Sequence, residues 1–141
     1  MFVVLMVGMP VILLNMLLQS QISVWGLRYY LSRIGKPTCF SVAALPLFGV
    51  ITILMLGNFM QIALWGLLFW LLGEFETMEL AVYHSGVNFA TLGYGDIVMT
   101  PTWRLLGPLE AVNGALMIGL SGATMLAVLQ HQLKAKVGVP L

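Results

Sequence analysis

The chain has 141 residues, of which 60% are hydrophobic and only 8% are charged. Soluble domains average about 25% charged residues, so a surface this poor in charge indicates a protein that is solvated by lipid. The formal net charge of +1 argues against a nucleic-acid partner. The single cysteine, Cys39, excludes an intrachain disulfide and a thiolate metal cluster, and we interpret it as a small buried or lipid-facing side chain.

The first apolar run, Met1 to Leu18, is uncharged. It is just long enough to cross a bilayer core of about 30 Å, for which a helix needs about 20 residues. We interpret residues 1–18 as an N-terminal membrane helix. A signal peptide is disfavoured because the run lacks a basic n-region and a clear small-residue cleavage site. A helix that lies in or on the membrane without crossing it stays open.

Residues 19–40 differ from the spans because polar and aromatic side chains interrupt them. Apolar residues at helical spacing share one face of this segment, namely Val24, Leu27, Leu31 and Ile34. Aromatic residues suited to the water–lipid boundary lie among them: Trp25, Tyr29 and Tyr30. Gly35-Lys36-Pro37 is typical of a helix end. The pattern predicts an interfacial helix along the inner membrane surface and then a cytoplasmic loop, with a polar connector as the alternative.

Two further apolar runs predict spanning helices, over residues 41–73 and 105–130. The first is longer than a span needs and is expected to tilt or to project beyond the lipid. Basic residues lie before this run and after the second one: Arg28, Arg33, Lys36, Lys134 and Lys136. Between the two runs the charges are mainly acidic, with Glu74, Glu76, Glu79 and Asp96 against Arg104. The positive-inside rule therefore predicts an outside N-terminus and a short cytoplasmic tail at 131–141.

A short helix and an unusual hexapeptide are predicted between these two spans. The helix covers Glu79 to Ala90, which is about 16 to 18 Å and too short to cross the membrane. It is followed by Thr91-Leu92-Gly93-Tyr94-Gly95-Asp96. This hexapeptide resembles the selectivity-filter signature of potassium channels, T-V-G-Y-G-D, with Leu92 in place of valine. A short helix before it, a span on either side and acidic flanks strengthen the resemblance.

The resemblance implies how the hexapeptide works. Potassium ions would bind to the backbone carbonyls of Thr91, Leu92, Gly93 and Tyr94, and Gly95 would complete the filter. Left-handed dihedrals are needed to aim successive carbonyls at one axis, and glycine adopts them without steric cost. Leu92 and Tyr94 would point outward and brace the strand. The negative end of the 79–90 helix dipole would stabilise a cation in mid-membrane. One chain supplies one strand and the pore needs four, which implies a homotetramer.

The resemblance covers the outer helix (41–73), the pore helix (79–90), the filter (91–96) and the inner helix (105–130). Residues 1–40 lie outside this two-span pattern. Three residues stand where the family often has a threonine, a glutamate and a proline, respectively: Ala90, Val87 and Met99. These departures put in doubt any transfer of inactivation behaviour.

Residues beside the filter are candidates for its support. Asp96 is expected at the outer mouth, where it would concentrate cations and contact Tyr83. Val87 is expected behind the filter. His84 could titrate near neutral pH and sense external protons, although a packed histidine is the commoner arrangement.

The predicted inner helix carries further candidates. Glu110 is an intramembrane charge and therefore a functional candidate. It could accept hydrogen bonds from the pore region, hold Arg104 or simply reach the interface. Gly114 matches the hinge glycine of the family by resemblance, with close helix packing as the alternative. Asn113 could face the cavity. For the remaining glycines we expect packing: Gly119 and Gly122.

The sequence therefore predicts an all-α membrane protein that conducts K+ passively through a homotetrameric pore. Its partners would be K+, further copies of itself and membrane lipids, without a cofactor or nucleic acid. A poorly selective cation channel and a non-conducting membrane subunit of the same fold are the alternatives. No nucleophile–base pair, metal-ligand cluster or phosphate loop indicates an enzyme. The compact chain suggests a prokaryotic inner membrane, and no arginine-rich span indicates a voltage sensor.

Overall fold

The computed structural model describes residues 2–33 and 40–137, with side chains over 2–33 and 44–134. Within these ranges it contains no strand and four helices: α1 (Phe2–Arg33), α2 (Phe40–Leu71), α3 (Met78–Phe89) and α4 (Leu106–Val137). Three segments are long and apolar enough to cross a membrane: Phe2–Arg33, Ala44–Leu71 and Leu106–Lys134. The predicted all-α membrane fold is thus confirmed. The predicted helix end at Gly35-Lys36-Pro37 and Cys39, predicted to be buried or lipid-facing, lie outside the described residues.

Helices α1, α2 and α4 form a three-helix bundle. Gly8, near the start of α1, lies against Leu106 at the start of α4 and Trp65 near the end of α2. At the other end of the bundle, Tyr30 of α1 contacts His131 of α4. Helix α1 therefore runs parallel to α4 and antiparallel to α2. The start of α1 lies at the same end of the bundle as α3, and the end of α4 lies at the opposite end.

Two apolar clusters are closely packed between the helices of the bundle. One lies at the end that carries α3 and contains Val4, Trp65, Phe69, Phe75, Ala81, Phe89, Met99, Leu106 and Met117. The other lies at the opposite end and contains Tyr30, Val50, Leu54 and Val128. Lipid tails are as apolar as these side chains, so close packing and interhelical hydrogen bonds, rather than hydrophobic burial, hold such helices together.

One prediction about the N-terminal region is wrong. A span at 1–18 followed by a separate interfacial helix was expected, but α1 continues without a break from Phe2 to Arg33 and packs beside α2 and α4. No glycine or proline separates Leu18 from Trp25, so nothing in the backbone ends the helix there. Gln19, part of the polar interruption, is fully buried between helices. The apolar face that was assigned to the interface is exposed on the outside of the bundle, at Val24, Leu27 and Leu31.

The inner helix is also longer than predicted. It was expected to end at residue 130 and to be followed by a tail, but α4 continues to Val137. Residues 131–137 contain no glycine or proline, and Gly138 and Pro140 come only afterwards. Helices α2 and α3 lie within two residues of their predicted bounds, which is the usual uncertainty of a helix end.

Candidate functional site

The chain turns back into the bundle immediately after α2. Gly73 has a φ of +73°, the left-handed conformation in which many helices terminate. The next backbone N–H, that of Glu74, donates to the Phe69 carbonyl at 3.2 Å. Thr77 then caps α3, because its side-chain oxygen accepts a hydrogen bond from the Leu80 N–H at 3.3 Å. These two local signals start a short helix that points back along α2 and α4.

Helix α3 ends at a definite depth. Its last residue, Phe89, lies against Gly114 of α4, where a side-chain methyl group would come 2.7 Å from the Phe89 Cα and 2.8 Å from its carbonyl carbon. Gly114 is about two turns, or about 12 Å, beyond the start of α4. The negative end of the α3 dipole therefore lies well inside the bundle.

The filter segment (Thr91–Asp96) has a repeating backbone geometry. Thr91, Gly93 and Gly95 have φ values of +56°, +61° and +72°. Positive φ at every second residue is the alternation required to aim successive carbonyls to one side. A side-chain methyl group at either glycine would meet nothing within 4 Å, so the backbone conformation, and not space within this chain, requires glycine there.

Thr91 was not expected to adopt this conformation. A β-branched residue in the left-handed region is a genuine outlier, and such conformations cost about 1–3 kcal/mol each and concentrate at functional sites. The surrounding backbone holds it in place. The Thr91 N–H donates to the Asn88 carbonyl at 2.8 Å, and the Leu92 N–H donates to the Val87 carbonyl at 2.9 Å. The inner end of the filter segment is thereby joined to the end of α3, and Val87 acts through its backbone.

Three side chains hold the outer end of the filter segment and the residues after it. The Tyr83 hydroxyl donates to Asp96 Oδ2 at 2.6 Å, so the expected contact between these two residues is present. The Ile97 carbonyl lies 3.1 Å from His84 Nδ1. Further along, the carboxylate of Glu74 accepts from the Thr100 N–H at 2.6 Å and from the Thr100 hydroxyl at 2.8 Å.

The Tyr83–Asp96 hydrogen bond favours the ionised form of Asp96. It holds the pKa of the Asp96 carboxyl below its usual value, and burial opposes this only in part. The same bond, with smaller contributions from burial and from the Asp96 charge, raises the pKa of Tyr83. A phenol that donates to an ionised carboxylate is favoured by both shifts. Asp96, at the end of the filter segment, is therefore ionised at neutral pH.

His84 is a packed histidine with two polar contacts. Its ring lies 4.9 Å from that of Phe75 and 5.7 Å from that of Phe69, measured between ring centroids. Because a carbonyl only accepts, Nδ1 carries the proton toward Ile97, and Nε2 accepts from Asn88 Nδ2 at 2.9 Å. Burial lowers the pKa of His84, while the bond to the Ile97 carbonyl opposes the shift. Both ring nitrogens are satisfied in the neutral form.

Glu110 connects α4 to α3. It is fully buried, so the interpretation that it merely reaches the interface is wrong. Its Oε1 lies 2.5 Å from the Ser85 hydroxyl, which also lies 2.7 Å from the Ile62 carbonyl of α2. Of the alternatives left open, a hydrogen bond from the pore region is the one present. Any modulatory role of Glu110 stays a prediction.

The structure separates the roles expected for the other α4 residues. Gly114 permits the close approach of α3 described above, which supports packing, and its role as a hinge stays a prediction. Among the described residues, a methyl group at Gly119 or Gly122 would meet nothing within 4 Å, so the packing expected for these glycines has no partner there. Asn113 does not face a cavity, because it is buried and accepts hydrogen bonds from Asn15 and Trp65.

The outward-pointing side chains of the filter segment lack the surroundings that were expected to brace them. Leu92 is 54% exposed and Tyr94 is 66% exposed in the single chain. Among the described residues, no cluster of three or more His, Cys, Asp or Glu side chains could hold a metal ion. The backbone carbonyls at 91–94, which the resemblance implies as K+ ligands, stay a prediction.

Sequence reasoning missed several residues of this site. Glu74 was noted only as an acidic flank, although both of its oxygens hold Thr100. Ser85 and Asn88 were not singled out, although they contact Glu110 and His84. Ser85 and Asn88 do lie three residues apart on α3, a spacing that places both on one side of the helix. No signal in the sequence pairs Glu74 with Thr100.

Three spanning helices with a short helix and an irregular segment inserted between two of them define an integral membrane protein with a re-entrant loop. Residues 59–131, just over half of the chain, match the family described as ion channel. The chain therefore belongs to this ion channel family. The match includes the second half of α2, α3, the filter segment and most of α4, and it excludes α1. No curated protein and no solved structure matches the chain.

Proposed function

We propose that the chain is the pore-forming subunit of a potassium-selective channel that conducts K+ passively as a homotetramer. The observation that carries the proposal is the alternation of positive φ at Thr91, Gly93 and Gly95. A K+ ion that sheds its water needs oxygen ligands from all sides. One strand with its carbonyls on one side supplies one wall of such a path, and four copies around an axis close it.

Two further features support four copies around one axis. Leu92 and Tyr94 are large, apolar or aromatic, and exposed in the single chain, so a neighbouring copy would cover them. The negative end of α3 lies about 12 Å inside the bundle, and four such ends would attract a cation to the middle of the membrane.

The charges support one orientation. The acidic residues Glu74 and Asp96 lie at the end of the bundle that carries the filter segment, and the basic residues Arg28, Arg33 and Lys134 lie toward the opposite end. By the positive-inside rule the filter segment faces outward and the end of α4 faces the cytoplasm. The ionised Asp96 then raises the local cation concentration at the outer mouth.

The test uses the purified chain in liposomes loaded with K+. Wild-type protein is expected to release K+, to accept Rb+ and not Na+, and to be blocked by Ba2+. Gly93→Asp is expected to abolish this flux while the tetramer persists. Gly73→Asp is the matched control, since Gly73 also has a positive φ and open surroundings but lies outside the filter segment, and it should conduct.

Each alternative gives a different result in this assay. Equal Na+ and K+ flux would identify a poorly selective cation channel. Absence of flux across a range of pH and lipid compositions would identify a non-conducting subunit. Wild-type K+ flux through Gly93→Asp would refute the assignment of the filter segment.

A further inference from the structure

Helix α1 lies outside the part of the chain that matches the ion channel family, yet it places polar side chains deep in the bundle. Asn15 and Gln19 are one helical turn apart and therefore share a face. Both are 0% exposed. Polar side chains within a membrane span are costly unless they bond to a partner. The partners of Asn15 and Gln19 therefore show which contacts of α1 offset this cost.

The first of these contacts, made by Asn15, joins all three spanning helices. Asn15 Nδ2 donates to Asn113 Oδ1 of α4 at 2.9 Å. The same Asn113 oxygen accepts from Trp65 Nε1 of α2 at 3.1 Å. One oxygen on α4 therefore bonds to both neighbouring helices.

A second contact lies one turn further along α1. Gln19 Nε2 donates to the Ser121 hydroxyl of α4 at 2.9 Å, and Gln19 Oε1 accepts from Gln61 Nε2 of α2 at 2.8 Å. Ser121 also lies 3.4 Å from Asn58 Oδ1 of α2. Again a side chain of α1 bonds to α2 and α4 together.

The third contact lies near the opposite end of the bundle. The Tyr30 hydroxyl is 3.0 Å from His131 Nδ1, and the two rings meet edge to face with centroids 5.6 Å apart. Asn113 and His131 are about five whole helical turns apart, or about 27 Å, and so lie on the same face of α4. A rotation of α4 about its own axis would break the first and third contacts together.

Helix α1 is itself fixed against α2. A methyl group at Gly57 would come 2.6 Å from the Ile22 side chain, and one at Gly49 would collide with the Tyr29 ring. These glycines let α1 and α2 approach closely, so α1 cannot roll or slide without losing this packing. Helix α1 is therefore fixed in position and can in turn hold α4.

We propose that α1 positions the inner helix: its hydrogen bonds to Asn113, Ser121 and His131 fix the rotation of α4 and thereby set how often the pore opens. The proposal rests on the proposed function, because it assigns α4 the role of the helix that moves during gating. Asn15, Gln19 and Tyr30 are positioning residues, since none of them touches the filter segment. The ion path itself should be unaffected by their replacement.

The functional test is single-channel recording of reconstituted full-length protein. The variant Asn15→Leu/Gln19→Leu keeps side-chain size and removes both bonds, and its open probability is expected to change at least about fivefold. Unitary conductance and the preference for K+ over Na+ should stay at wild-type values. Ser20→Ala is the matched control, because the exposed Ser20 hydroxyl bonds only to the Leu17 carbonyl of its own helix in the described contacts. It should behave as wild type.

A milder variant covers the case in which the double substitution does not assemble. Tyr30→Phe keeps the ring beside His131 and loses only the hydroxyl. It should shift open probability by about threefold. Where the double variant assembles, the two shifts should have the same direction. Open probability equal to that of Ser20→Ala in both assembled variants would overturn the proposal. A fall in conductance or selectivity with unchanged open probability would overturn it too.

Hydrogen–deuterium exchange on the same proteins separates this proposal from the proposed function. Faster exchange in α1 and α4 of the variants, with no change in α3, supports a positioning role for α1 even if wild-type protein carries no current. In that case the proposed function fails and the contact between α1 and α4 stands. Unchanged exchange in α4 would show that α1 does not hold it, whatever the current.

Discussion

The contact between Gly114 and the end of α3 gives the sharpest prediction. Replacement of Gly114 by alanine places a methyl group 2.7 Å from the Phe89 Cα and 2.8 Å from its carbonyl carbon. Both atoms belong to the backbone, so no side-chain rotation relieves the collision. Helices α3 and α4 must separate by about 1 Å to restore ordinary van der Waals contact, at about 3.5–4.0 Å between carbon atoms.

This separation has a cost that can be estimated. Extra methyl groups in a closely packed interior destabilise by about 1–3 kcal/mol, against which the better helix propensity of alanine returns up to about 1 kcal/mol. A net loss of about 1–2 kcal/mol per chain is expected. Because Phe89 lies two residues before Thr91, the displacement also reaches the inner end of the filter segment, and K+ flux should fall.

Thermal unfolding in detergent and liposome flux measure these two effects. Gly119→Ala is the matched control, since the same methyl group on the same helix meets nothing within 4 Å in this chain. It should leave chain stability unchanged or higher, and a separate loss of tetramer would reveal contact with a neighbouring copy. If Gly114→Ala matched wild type in stability and flux, the packing argument would be refuted and a simple hinge would remain.

Three further predictions concern the residues around the filter segment. Glu74→Gln replaces one acceptor facing Thr100 with a donor, which should cost about 1 kcal/mol in thermal unfolding. Burial lowers the pKa of His84, so the neutral ring stabilises the fold above pH 6.5, and this stability is lost as the pH falls through the lower pKa of the folded state. Current should therefore decline below an external pH of 6.5. The decline should be smaller in His84→Gln. Ser85→Ala removes the hydroxyl that donates to Glu110 Oε1, which should cost about 1–3 kcal/mol in thermal unfolding, whereas an unchanged midpoint would contradict the contact.

The left-handed backbone at Gly93 and Gly95 could be predicted from the sequence because its requirements are local. Gly93 and Gly95 reveal the need for left-handed backbone on their own, and the short helix before them fixes the depth. The contact between Tyr83 and Asp96 was also foreseeable, because both residues flank the same turn of chain. The left-handed conformation of Thr91 was missed, since propensity alone argues against a β-branched residue there.

The packing of α1 against α2 and α4 could not be predicted, for a physical reason. A helix that is apolar almost all round gives no periodic signal for the face that it buries. Gln19 lies within an interruption that resembled a boundary, because a polar side chain in a sequence does not show whether its partner is water or another helix. Its partner Ser121 lies far along the chain, and only the packed structure brings the two together.

The direction of α1 has a consequence for how the protein enters a bilayer. Its first charged side chain is Arg28, so the leading part of the helix can be translocated without carrying a side-chain charge through lipid. In the proposed orientation Arg28 and Arg33 stay on the cytoplasmic side, because transfer of their charges through lipid would be costly. A reporter domain fused before α1 should emerge on the filter side of the membrane, and one fused after α4 on the other.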